Sequence, residues 1–246
     1  MLLRSLMFPA LCLLAVPFIT LLLVTPWHHF ALAYGDARAV WISLSLSLFS
    51  LPLIVILGTP VSLWLANTRS SWRVGIEIGL LVPLLTPPLA MGILLVAAYG
   101  PYGTLGEIIA RLGVNLTNTP AAFILAQLYA ALPFYVLMAR NAFEAVPTAV
   151  TEVAETLGAN PWQLFWRLTL PLARRGLLNS LSLAWARALG EFGIVMIFCY
   201  FPQGIPVKLY VNLQNGGVEA VYTLLWILLL TSLPLPLWCF YRSRWP

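Results

Sequence analysis

Residues 40–65 read VWISLSLSLFSLPLIVILGTPVSLWL, a run without one charged side chain. It exceeds the roughly 20 helical residues needed to cross a hydrocarbon core. Five further stretches share that character, near 6–25, 78–99, 120–138, 177–200 and 218–239. The whole chain follows suit, with 61% hydrophobic and 9% charged residues over 246 positions and a mean hydropathy of +0.91. A soluble domain carries about 25% charged residues. It could not hide this much apolar surface from water, whereas a bilayer is a solvent for it. The reading is an all-α membrane protein with six transmembrane helices in a single domain, 1–246, since no polar linker divides it. The first stretch reads as a retained span, not a cleaved leader, because Pro26-Trp27-His28-His29 separates it from the small residues Ala31-Leu32-Ala33.

Of the thirteen basic residues only Lys208 is a lysine, and the arginines sit mostly at the ends of apolar segments. That distribution argues against nucleic acid and for topology signals. One side of the membrane receives Arg4, Arg69, Arg73, Arg140, Arg167, Arg174, Arg175, Arg242 and Arg244; the other receives Arg38, Arg111 and Lys208. The excess puts both termini in the cytoplasm. Cys12, Cys199 and Cys239 lie in or beside apolar runs and read as small core hydrophobes. His28-His29 with Asp36 lacks a further well-spaced ligand, so no metal site is expected.

Local signals predict two ordered connections. Thr104-Leu105-Gly106-Glu107 has the form of a capping box and Gly113 that of a helix stop, giving a short external helix over 105–112. Thr119-Pro120 then opens the fourth span. On the cytoplasmic side, the polar segment 140–176 reads as two short helices. Pro147 starts the first, and Val150, Val153, Ala154 and Leu157 make an apolar stripe opposite Thr148, Thr151, Glu152 and Glu155. Gly158 ends it. Asn160-Pro161 opens the second, through Trp162, Phe165 and Leu168, with Leu170-Pro171 closing it. Weak basicity and two glutamates make a protein partner a better fit to this surface than lipid headgroups.

Within the spans, Thr86-Pro87-Pro88 cannot continue a regular helix and predicts a kink, either a gate element or a static bend. Arg187 and Glu191, four apart, share one helical face at a depth where facing lipid is costly. They are either part of a polar path or a structural ion pair. Gly190 and Gly193 suit close helix approach, as do Gly75 and Gly79.

Glu152-Val153-Ala154, Gly158 and Leu168-Thr169-Leu170-Pro171 resemble the EAA loop of binding-protein-dependent ABC importer permeases. That pattern is Glu-Ala-Ala, three residues, Gly, nine residues, Ile-x-Leu-Pro. All spacings hold, and Val153 and Leu168 are conservative departures. The resemblance implies the type I importer permease fold, with Glu152, Ala154, Gly158, Asn160, Trp162, Phe165, Leu170 and Pro171 docking on a cytoplasmic ATPase. Gly190-Glu191-Phe192-Gly193 resembles the signature of oxyanion permeases, and the region around Thr86-Pro87-Pro88 is similar to the third span of molybdate permease subunits. The likeness covers roughly 40–235. It implies a homodimeric permease for molybdate, or in the same role for tungstate, sulfate or thiosulfate, in a prokaryotic inner membrane among membrane lipid. Thr86, Pro87, Pro88, Arg187, Gly190 and Glu191 become candidates for the path. No Gly-Lys-Ser/Thr phosphate loop is present, so the chain is not itself an enzyme and binds no cofactor. Two partner ATPase subunits would bind ATP and Mg, and a periplasmic or lipid-anchored binding protein would deliver the anion. A secondary transporter would need more charged residues inside its spans. A lipid-modifying membrane enzyme would need clustered polar groups at an interface. Neither accounts for the spaced loop at 152–171.

Overall fold

A computed structural model of the chain describes residues 2–244; of the arginines counted above, the side chains of Arg4 and Arg244 lie outside the described residues. Helix α1 (Leu2–Val24) is followed by a 3-10 turn (Trp27–His29) and the 32-residue α2 (Asp36–Asn67). Then come α3 (Trp72–Leu85), α4 (Pro88–Tyr99), the short α5 (Gly106–Arg111) and α6 (Pro120–Glu144). The hairpin α7 (Thr148–Thr156) and α8 (Pro161–Leu164) leads through a π-helical turn (Phe165–Thr169) into α9 (Leu170–Leu189). The chain ends with α10 (Gly193–Phe198), α11 (Ile205–Gly216), a 3-10 turn (Val218–Val221), α12 (Tyr222–Ser232) and α13 (Pro234–Arg244).

The core is the packing of α6 between α2 and α9, with α4 against α10 and α13 against α9. Small residues make these approaches possible. The buried face of α2 runs Ala39, Ser43, Ser47, Ser50, Ile54, Gly58, Ser62 and Leu65, and α6 answers with Ala122, Ala126, Ala130, Ala131, Ala139 and Ala142. In a bilayer, helix association depends on such close packing and on interhelical hydrogen bonds, because lipid offers apolar surface as good as leucine. Gln127 supplies the bonds. Its Nε2 donates to Ser47 Oγ at 2.7 Å and to the Ala188 carbonyl at 3.0 Å, and its Oε1 accepts from Ser50 Oγ at 2.7 Å. Asp36, at the start of α2, accepts from Asn212 Nδ2 and from the Ala33 amide, both at 2.9 Å, which accounts for its burial. Of the cysteines, Cys199 and Cys239 are buried as expected, whereas Cys12 is exposed on α1.

Among the described residues, four helices are long and apolar enough to cross a membrane, or five if the bent pair α3–α4 counts as one span. The six expected from the sequence are therefore reduced by the stretch 177–200. Helix α9 carries Arg174, Arg175 and Arg187, and the helical path stops at Gly190 before the six-residue α10 begins. No uninterrupted apolar run remains there. The external helix forms, but without the expected capping box: Leu105 occupies its N-cap position with no side-chain cap. The amides of Thr104 and Leu105 instead bond the Ala97 and Ala98 carbonyls at 3.2 and 2.8 Å, closing the C-terminus of α4. Glu107 pairs with Arg111 on the same helix at 2.8 Å. Gly75 and Gly79 have open space around them within this chain, and no residue of α3 is buried.

Candidate functional site

Two places combine exposed or strained backbone with chemistry, and α9 joins them.

The first is the α7–α8 hairpin. Helix α7 ends in a complete Schellman closure: the Gly158 amide bonds the Glu155 carbonyl at 2.9 Å and the Ala159 amide bonds the Ala154 carbonyl at 3.0 Å. Gly158 has φ +86°, the left-handed region that a side chain occupies at a cost. Two residues later, Asn160 Oδ1 accepts from the Gln163 amide at 2.8 Å, and Gln163 Oε1 accepts from the Asn160 amide at 3.1 Å. This reciprocal box starts α8 at Pro161. The expected apolar stripe exists but does not turn inward. Val153, Leu157 and Trp162 are 58%, 82% and 70% exposed, and no residue of α7 is buried. Glu152 is also exposed, and Ala154 is half-buried. Trp162, Phe165 and Trp166 pack edge to face with centroids 5.3–5.5 Å apart. The hairpin is thus held by its own caps and offers apolar and aromatic surface outward.

The closing role expected of Leu170-Pro171 is not realised. The Leu170 amide bonds the Phe165 carbonyl, an i→i+5 link, and Pro171 sits in the first turn of α9. A π turn widens the helix by one residue, so the proline falls at the start of a new register and not across an existing one. The second arm of the hairpin, α8, is consequently continuous with α9 through the π turn.

The second place lies where two helices break. Helices α3 and α4 meet at 110°. Pro87 and Pro88 withhold backbone donors there, and the Thr86 hydroxyl turns back to the Val82 carbonyl at 2.6 Å. Opposite, α9 stops at Leu189 and α10 begins at Gly193. Between them Glu191, its side chain 1% exposed, accepts from the Ile194 amide at 2.8 Å and from Arg187, which is 30% exposed. A cavity of about 350 Å³ separates the two breaks, lined by Pro87, Pro88 and Leu89 on one side and by Arg187, Gly190 and Glu191 on the other. Phe192 and Gly193 complete its wall. A Cβ at Gly193 would lie 2.5 Å from Pro88 Cβ and 3.0 Å from the Leu89 nitrogen, so the glycine permits the contact between the breaks. The sequence-derived candidates therefore converge, except that Thr86 stands behind the cavity without lining it. Arg187 has five N–H donors in a planar fork, and Glu191 engages it through Nη1. A guanidinium beside a cavity of this size can meet an anion with its other donors.

Sequence reasoning missed a square of charges at the hairpin end of α6. Arg73 bonds Glu77 and Glu144 at 2.9 and 2.8 Å, and Arg140 bonds Glu77 and Glu144, both at 2.8 Å. The signal was present as two i,i+4 pairs, but their alternation across two helices needs the fold. This square ties α3, which has no buried residue, to α6. The partner of Asn160 was also visible, since Gln163 stands at the third position of α8.

An all-helical membrane bundle with facing helix breaks and an exposed, connected hairpin defines a permease of the ABC transporter class. The chain belongs to the binding-protein-dependent transport system inner membrane component family, whose model matches residues 58–238. It is 37% identical over 167 residues to the molybdenum transport system permease protein ModB of Azotobacter vinelandii, covering 68% of this chain and 74% of that one. To ModB of Mycobacterium tuberculosis it is 31% identical over 226 residues, 89% of this chain and 86% of that one. The sulfate transport system permease protein CysW of Synechocystis sp. is 30% identical over 200 residues, 78% and 72% of the two chains. In fold it is similar to a chain of a bacterial alginate ABC transporter crystallised with a periplasmic protein, with a TM-score of 0.78, 18% identity, and 99% and 94% of the chains covered.

Proposed function

We propose that this chain forms one half of a homodimeric permease that imports molybdate at the expense of ATP hydrolysed by two cytoplasmic ATPase subunits. The observation that carries the proposal is the self-capped hairpin at the spacing Glu152–Gly158–Pro171, which exposes Val153, Leu157 and Trp162. Its apolar face stays exposed among the described residues and suits a groove in a soluble protein. Glu152, Ala154, Gly158, Asn160, Trp162, Phe165, Leu170 and Pro171 form this docking element and its root. With the 20-residue α9 taken as a sixth crossing, both termini and the hairpin lie in the cytoplasm of a prokaryotic cell, and a periplasmic or lipid-anchored binding protein delivers the anion to the opposite face. ATP and Mg bind only the partner.

The coupling follows from the connection. Closure of the ATPase pair draws the two hairpins together. The π turn transmits that displacement to α9, a rod of 20 residues and so about 30 Å long. Its far end is the Gly190–Glu191 break, which rests on Pro87-Pro88. Moving α9 changes the separation of the two breaks and opens or closes the path. Arg187 offers its unused donors to the passing dianion, while Glu191 keeps the guanidinium oriented and limits how tightly the anion can be held. Replacing Arg187 by Gln separates two roles: lost uptake with intact assembly supports a place in the path, whereas lost assembly makes the pair structural.

The likeness to two molybdenum permeases supports the substrate, and the likeness to a sulfate permease favours sulfate as the second reading. Cellular molybdenum, measured by elemental mass spectrometry at trace molybdate with excess sulfate, tests the choice. A deletion strain should lose molybdenum and regain it with the wild-type chain but not with Gly158→Asp. Unchanged molybdenum rejects molybdate as the main substrate and turns the assay to tungstate and then sulfate.

A further inference from the structure

A second cavity lies away from the helix breaks. It measures about 680 Å³, within the range of small-molecule sites. It is bounded by α2, α6, α9, α13 and the π turn. Its walls are apolar, with Leu177, Leu178 and Leu181 along α9 and Val55, Ile56 and Pro60 along α2. Two cations line it, Arg174 on α9 and Arg242 on α13. Both are exposed, and neither forms an ion pair among the described residues. Trp166 and Trp238, half exposed at 49% and 52%, also line the cavity. The hydroxyls of Thr59 and Tyr135, which also line the cavity, bond each other at 2.8 Å.

The arrangement has a direction. From Arg174 to Leu181 is seven residues, about 10 Å along a helix. Arg174 stands one helical turn beyond Leu170 at the hairpin root, and the leucines lead from there into the apolar part of α9. The occupant must therefore be anionic at one end and a long apolar chain at the other. Paired tryptophans are the usual furniture of the membrane interface, and basic pockets between spans on the cytoplasmic side hold anionic lipid headgroups.

We propose that this cleft is a binding site for an anionic phospholipid of the cytoplasmic leaflet. Arg174 and Arg242 hold the headgroup phosphate and an acyl chain lies along Leu177, Leu178 and Leu181. The leaflet assignment rests on the cytoplasmic placement of the hairpin proposed above. The lipid would fill the space behind Phe165, Trp166 and Leu170, bracing the turn through which the hairpin drives α9.

The test measures lipid retained by the detergent-purified transporter after reconstitution with phosphatidylglycerol or phosphatidylcholine, read by native mass spectrometry. Because it does not depend on the transported ion, its failure is distinct from a failure of the molybdate reading. Wild type should retain phosphatidylglycerol and release phosphatidylcholine. Arg174→Gln with Arg242→Gln should weaken retention by roughly tenfold to thirtyfold, the effect of two charges near an anionic headgroup. The double Lys variant should retain it. Leu178→Trp, which fills the cleft without touching a charge, should also release it. Equal retention by the Gln variant, or equal binding of both lipids, overturns the proposal. So does a cross-link from Cys placed at Leu178 to a helix of a second copy, which would make the cleft a protein interface.

Discussion

Helix α9 is irregular at both ends, and the two irregularities are opposite in kind. At the hairpin end the π turn keeps the backbone bonded, with the Leu170 amide on the Phe165 carbonyl. At the other end the Gly190 and Glu191 amides still bond back to the Ala186 and Ala188 carbonyls, and only beyond them does a side chain take over, Glu191 bonding the Ile194 amide. A bonded turn passes on a displacement; a break held by one carboxylate lets the next element swing. The difference separates a drive end from a gate end, and it predicts that damage at each will be felt differently.

The comparison is broken most severely by Glu191→Ala. It leaves Arg187 without its carboxylate and the buried Ile194 amide without an acceptor, a loss of about 3 kcal/mol by analogy with broken buried pairs. Uptake should vanish and thermal stability in detergent should fall, while the purified ATPase still binds. A stable variant with normal uptake would remove the gate role from this break. Next comes Gly193→Ala, whose new methyl would press on Pro88 at 2.5 Å. Overpacking of this kind costs about 1–3 kcal/mol. The expected outcome is ATP hydrolysis uncoupled from substrate movement in proteoliposomes, with ATPase docking unchanged.

At the drive end, Asn160→Ala removes one half of the reciprocal cap, about 1 kcal/mol of local order. Copurification with the ATPase should weaken several-fold while the spans keep their stability, the reverse of Gly193→Ala. If both variants lose the same function, the division of α9 into two ends is wrong. The smallest effect is expected from Glu77→Gln. The charge square is a quarter to a third exposed at Glu77 and Glu144, and such pairs are worth about 0.2–1 kcal/mol each. A slightly lower melting temperature, disappearing in high salt, would mark it as a tie for α3 and nothing more.

The sequence carried the drive end better than the gate end. Proline at N1 after Asn160, glycine after Leu157 and the stripe at Val150, Val153 and Leu157 are local signals, and each produced the expected turn or helix. The kink at Pro87-Pro88 was equally local, though its 110° was not, because the angle is set by what α4 packs against. Pro171 misled because a proline terminates a helix only if the register stays α-helical, and here a π turn precedes it. Arg187 and Glu191 declared their pairing by spacing. That Glu191 would also bond the Ile194 amide, and that both would face Pro88, needed the tertiary contact through Gly193. The open surroundings of Gly75 and Gly79 show that a small-residue pair at helical spacing need not mark packing within the chain.

Gln127 imposes an order on biogenesis. Its hydroxyl partners, Ser47 and Ser50, belong to α2 and have already left the ribosome when α6 emerges; its third partner, the Ala188 carbonyl, is made some sixty residues later. Ser50 can meanwhile rest its hydroxyl on the Ser47 carbonyl of its own helix at 3.2 Å, so α2 can wait in lipid alone. The Gln127 amide has two donor hydrogens and an acceptor oxygen to satisfy, more than a single carbonyl of its own helix can meet. During translation α6 is therefore a span that must be met on arrival, and its docking on α2 is the step at which the inserted helices begin to become a folded protein.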